Sequence, residues 1–248
     1  MSPRSILVFE STLAGRLDQG TARIAGLGYG AEPGSASGLS GNAYGIPTTN
    51  SLGRTLTMEE ITASVGDLLR FARAHPDWNF RVTSLGQNLS PAERERLIEQ
   101  FRAPPANCRL PGSWLAQFNR LPHQRLLIVG GAHSLSRAQT AADFTEFLRL
   151  NAPLWGSGTL EIVSCGSSGD TVTIDRYAKA HGLAHKVIPT DEARYGAHAG
   201  LARDELALWY CSRVVSLIRA DETSPGNEVR LIATAARAGI PLEELYAD

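Results

Sequence analysis

Residues 126–129, Leu-Leu-Ile-Val, form a run without a polar side chain that stops at Gly130 and Gly131. Successive side chains of a strand point to opposite faces, so a strand of this kind must be covered on both. A parallel sheet between two helical layers provides that cover, and the residues that follow supply the helices. The spacing predicts a helix over 136–150, a strand over 160–163 entering Cys165-Gly-Ser-Ser-Gly-Asp170, and a helix through His181. It then predicts a strand over 185–188, a helix over 200–211, a strand over 214–218 and a helix over 227–238. Strand and helix alternate throughout, which predicts a doubly wound, Rossmann-like parallel sheet.

The first half alternates too. A strand at 6–9 is followed by a stretch to Gly53 with ten glycines. That density points to turns needing positive φ, or to backbone lying close to something. Thr57 with Glu60 makes a capping box, and Ile61, Val65, Leu68, Leu69 and Ala72 recur at helical spacing as far as His75-Pro76. Residues 80–85 alternate as a strand, and Ser90-Pro91-Ala92-Glu93 opens a second boxed helix through about Phe101. Between 103 and 122 stand Pro104, Pro105, Pro111 and Pro122 with no period, which predicts a linker and a boundary near 118. The 248 residues are about one and a half common domain lengths, so two compact α/β domains, 1–118 and 119–248, are expected.

Composition narrows the function classes. With 24 basic and 25 acidic residues the net charge is −1, and the global positive field of a nonspecific nucleic-acid binder is missing. Nucleic acid is therefore not the expected partner. No apolar run approaches the roughly 18 to 20 residues of a membrane span, and the amino terminus lacks a signal-peptide layout, so a cytoplasmic setting without membrane association is expected. Cys108, Cys165 and Cys211 are widely separated, and the six histidines show no metal spacing. Neither a disulfide framework, a metal nor a cofactor is expected, and a homo-oligomer is compatible with this composition.

In doubly wound sheets ligands bind outside the carboxyl ends of the strands. Three glycine-containing loops are predicted there: 130–134 with Gly130 and Gly131, 166–170 with Gly166, Ser167, Ser168, Gly169 and Asp170, and 220–228 with Ser224, Gly226, Asn227 and Glu228. The last two open helices, whose free N–H groups and positive dipole end suit a phosphate. Together they point to an anionic, nucleotide-like ligand.

The segments LLIVGGA, IVSCGSSGDTVTIDRYAKAHGL, ARYGAHAGLARDELAL and VVSLIRADETSPGNEVRLIATAARAGIP occur in that order over about residues 124–243. This pattern resembles the SLOG superfamily, the Rossmann-like group of YspA-like proteins, DprA DNA-processing proteins and Lonely-guy phosphoribohydrolases. The matching positions are Gly130 and Gly131, Gly166 with Gly169 and Asp170, Gly196 with Gly200 and Arg203, and Ser224 with Gly226. Ala132, Asp204 and Asn227 depart from the arginine, asparagine and threonine of that pattern. The resemblance implies a nucleotide or ADP-ribose-like ligand, with hydrolysis of its N-glycosidic bond. Single-stranded DNA binding of the DprA sort is a further implication, which the net charge disfavours.

The segments VFESTLAGRLDQGTARIA, YGAEPGSASGLSGNAYGIPT and FRVTSLGQNLS resemble a phage and bacterial family distantly similar to macro domains, which bind ADP-ribose. Glu10 stands where that family has glycine, and Thr12 where it has asparagine. The resemblance implies a macro-like α/β domain followed by the Rossmann-like doubly wound parallel sheet. It also implies a non-catalytic alternative, a nucleotide-signal sensor or sequestering protein in phage–bacterium conflict.

Among SLOG glycosidases a loop glutamate acts at the N-glycosidic carbon, which makes Glu228 the candidate catalytic carboxylate, one residue out of register with that motif. A glutamate in a first helical turn is also favoured by the dipole alone, by about 0.3–1 kcal/mol. Asp170 is the second candidate, binding a ribose hydroxyl or else capping the helix at 171. Arg203 is the candidate phosphate clamp, with an ion pair to Asp204 or Glu205 as its other reading.

Overall fold

A computed structural model describes residues 3–130, 137–155, 159–166, 169–218 and 226–246. In chain order the elements are β1 (Ser5–Thr12), α1 (Gly20–Tyr29), β2 (Gly38–Ser40), β3 (Ala43–Thr49), α2 (Met58–Ala74), β4 (Asn79–Val82), α3 (Pro91–Glu99), β5 (Cys108–Arg109) and α4 (Gly112–Gln117). There follow β6 (His123–Val129), α5 (Arg137–Asn151), β7 (Thr159–Ser164), α6 (Asp170–Ala180), β8 (Ala184–Val187), α7 (Glu192–Tyr195), α8 (Ala199–Tyr210), β9 (Arg213–Ser216), α9 (Gly226–Arg237) and β10 (Leu242–Glu244). The protein is α/β, with two mainly parallel sheets. Its chain forms two compact units, Met1–Pro111 with Asp191–Glu205, and Gly112–Thr190 with Leu206–Asp248. The division lies at Pro111 rather than near 118, and 191–205 joins the first unit.

The first sheet has the order β2-β3-β1-β4-β5, antiparallel only between β2 and β3. Leu7 and Phe9 of β1 pack under Ala22, Ile24 and Ala25 of α1. The alternate residues face α2, where Phe71 meets Tyr44 and Phe80 at 5.4 and 6.0 Å between ring centres. Both expected capping boxes are present, at Thr57 with Glu60 and at Ser90 with Glu93. The glycine-rich stretch is largely folded, as α1 and the β2–β3 hairpin. Gly15, at φ 60°, lies against the chain itself, since a Cβ there would stand 2.4 Å from the Gly34 carbonyl carbon.

The second sheet is wholly parallel, in the order β10-β9-β6-β7-β8. Leu126 and Ile128 of β6 face Phe144 and Phe147 of α5 and Ile174 and Ala178 of α6. Leu127 and Val129 face the other way, onto Ala207 and Leu208 of α8 and Leu231 and Ala235 of α9. The apolar run is thus covered on both sides, as a Rossmann-like fold requires. From β6 the chain steps out to β7 and β8, then returns to β9 on the far flank of β6. The strand order reverses between β6 and β9, which makes their carboxyl ends the crevice of this sheet.

The stretch 103–122 is not a bare linker. It contains β5 and α4, with Leu110 and Phe118 buried and Trp114 only 1% exposed.

Candidate functional site

Three loops leave the carboxyl ends of the adjacent strands β9, β6 and β7. Gly131, Ser167, Ser168 and Ser224 lie outside the described residues, as do 132–136 and the rest of 219–225. Gly130 is buried, and a Cβ there would lie 2.7 Å from Thr171 Oγ1 and 3.0 Å from Thr171 N. The close approach that this glycine allows is therefore to the first turn of α6. Gly169, the residue before α6, has φ 65° and ψ −138°, near a region essentially confined to glycine. Among the described residues no side chain caps the start of that helix, since Gly169 at the cap position has none. Gly166 turns the chain after β7 at φ 64°.

Asp170 is sealed, at 2% exposure, and its Oδ1 accepts a hydrogen bond from Thr140 Oγ1 at 3.2 Å. The phenol of Tyr246 lies beside it. Burial, then the charges of Asp143 and Asp170, push the Tyr246 pKa up to about 12, so this hydroxyl keeps its proton. Asp170 is thus an anchor that joins the starts of α5 and α6. Sequence gave no sign of Tyr246 or Thr140 here, because their meeting is made by the fold alone.

Glu228 is in the first turn of α9, behind the exposed Gly226 and Asn227. Its Oε2 is buried and has no hydrogen-bond partner among the described residues. A buried carboxylate oxygen without a donor is costly.

Arg203 belongs to the first unit. Its Nε and Nη2 donate to Asp204 Oδ1 at 3.0 and 2.8 Å, and Asp204 is 4% exposed. Arg203→Ala is therefore expected to cost about 1.5–3 kcal/mol of stability, as for a charged hydrogen bond. Denaturant unfolding of the variant checks this. His198 and Arg194, from the same segment, also have partners in that unit: His198 Nε2 stands 3.0 Å from Arg23 Nη2, and Arg194 Nε and Nη2 donate to the Gly28 carbonyl at 3.1 and 2.5 Å.

One other cluster combines a serine, an acid and a histidine. Asp175 accepts from Ser164 Oγ at 3.0 Å on Oδ2 and lies 2.8 Å from His185 Nε2 on Oδ1. The acid stands between the other two, so the histidine is not placed to take the serine's proton, and no nucleophile relay forms. Among the described residues no group of three His, Cys, Asp or Glu converges on a metal position, and no helix is long and apolar enough to cross a membrane. Desolvation raises the pKa of the buried Cys108 thiol to about 11 and moves that of Cys211 in the same direction, which disfavours the thiolate at both. No protein-family model and no curated protein matches this chain.

Proposed function

We propose that the second unit binds a nucleotide or ADP-ribose-like ligand in the crevice between β6 and β9, with a phosphate on the first turn of α6. The observation that carries this is the uncapped start of α6 beside the strand-order reversal. The unpartnered Glu228 oxygen at the start of α9 adds a group suited to ribose. In the hydrolytic form of this function, Glu228 stabilises an oxocarbenium-like centre or activates water at the N-glycosidic carbon. The SLOG resemblance supports the same ligand class.

One observation favours a sensor that binds without turnover. Glycoside hydrolysis commonly uses two carboxylates, and among the described residues Asp170 is enclosed by Thr140 and Tyr246. That leaves Glu228 without a described second carboxylate. Calorimetric titration with AMP, NAD, ADP-ribose and cyclic nucleotides tests the ligand class: saturable binding of at least one is expected. Heatless titrations of all of them against folded protein would remove the proposal.

A further inference from the structure

Glu10 lies near the carboxyl end of β1, in register with Ile46 of β3. Three donors meet its carboxyl group. One is the Thr48 hydroxyl at the end of β3, and the others are the backbone N–H groups of Gly86 and of Gln87, whose nitrogen is 3.2 Å from Oε2. Since β3, β1 and β4 are adjacent and parallel, all three come from one edge of the first sheet.

The loop carrying the two N–H groups is held independently of Glu10. Arg94 of α3 donates to the carbonyls of Gly86 and Leu89, each at 3.2 Å. Leu89 and Leu97 are buried, and both lie within 3.0 Å of where a Cβ on Gly86 would stand. Arg94 is also the charged group that faces the Glu10 carboxyl. The loop is thus fixed by its carbonyls and its leucines, while its amides are directed at the acid. Two N–H donors and a hydroxyl on a rigid loop and a strand end are complementary to a carboxyl group.

We propose that Thr48, Gly86 and Gln87 form a carboxyl-binding cradle at the edge of the first sheet, which holds Glu10 as its built-in occupant and accepts a short carboxylic acid when that side chain is removed. While Glu10 is in place, this edge is closed to acids from outside.

Burial raises the Glu10 pKa above its ordinary value in spite of the three donors and the Arg94 charge, so folding shifts the balance toward the protonated acid. The folded state then binds the Glu10 proton more tightly than the unfolded chain does. Its stabilisation is fully present below the unfolded pKa and is lost as pH rises through the raised folded one.

Glu10→Ala, followed by thermal unfolding in acetate or in chloride of equal ionic strength, tests the proposal. A fall of about 5 °C in the midpoint is expected. About 50 mM acetate should recover part of it by mass action, more at pH 5 than at pH 7, and chloride none. Glu10→Gln should unfold near the wild-type midpoint at pH 7 and ignore acetate, because its amide donates to Thr48 and its carbonyl accepts from the loop. Acetate acting no differently from chloride on a folded Glu10→Ala would overturn the proposal, as would a Glu10→Ala protein with the wild-type midpoint. Should Glu10→Ala not fold, the carboxyl carbon of Glu10 is titrated by NMR in the wild type and in Thr48→Val. The wild-type midpoint should lie above the ordinary carboxylate range and rise further in Thr48→Val; an ordinary midpoint, or one indifferent to Thr48, sinks it.

Discussion

Gly15→Ala should destabilise the first unit by about 2–4 kcal/mol, which corresponds to a fall of roughly 5–15 °C in its unfolding midpoint. The added Cβ would stand 2.4 Å from the Gly34 carbonyl carbon, 2.6 Å from its Cα and 2.7 Å from Ser35 N. All three are backbone atoms, held in place because Gly34 N donates to the Gly15 carbonyl at 2.9 Å. Neither side can yield by a rotamer change, so the turn itself must move. The left-handed φ of 60° adds the strain that any L side chain meets there. Gly20→Ala separates the two terms. Gly20 shares the positive φ, at 52°, but has nothing within 4 Å of its Cβ position, and it should cost only about 1 kcal/mol. Equal melting points for the two variants would show that the Gly15–Gly34 approach is not the cause. A Gly15 variant therefore measures folding of the first unit and is a poor probe of ligand binding there.

The second sheet was legible in the sequence because its signals are local. The runs at 126–129 and 160–163 fall inside β6 and β7, and the helix expected over 227–238 is α9 shifted by one residue. Hydrophobic period and caps need no knowledge of distant residues. The destination of 191–205 was not legible, since tertiary contacts alone decide it. Arg194 reaches the carbonyl of Gly28, 166 positions away, and a Cβ on Gly28 would meet the Tyr195 ring at 2.3 Å. The prolines around β5 hid a strand of two residues, too short to show a period. Glycine gave a half-answer: it marked backbone approach at Gly130 and Gly15 but not the partner, which is Thr171 in one case and Gly34 in the other. Glu10 carried no local signal of burial, because the donors that surround it come from β3 and from the loop after β4.

Glu228→Gln should separate a hydrolase from a sensor, with the largest effect on function of any single change in the second unit. Glutamine keeps the size and the hydrogen-bonding reach of glutamate but neither carries its charge nor accepts a proton. In a hydrolase this removes the group that stabilises developing positive charge or activates water, and turnover should fall by about 10²–10⁴-fold. Ligand affinity should stay within a few-fold, because the phosphate is held at the start of α6 and the glutamine carbonyl still accepts from a ribose hydroxyl. Folding should be little affected, since the Glu228 Oε2 atom has no partner among the described residues to lose and glutamine keeps the side chain's size. In a sensor the same change leaves affinity nearly intact and there is no turnover to lose. Mass spectrometry of the nucleotide after incubation distinguishes the two. Free base released by the wild type and not by Glu228→Gln identifies the hydrolase, whereas intact nucleotide recovered from both identifies the sensor. Base released equally by both proteins would remove Glu228 from the chemistry and direct attention to the carboxylates of 219–225, where Asp221 and Glu222 stand.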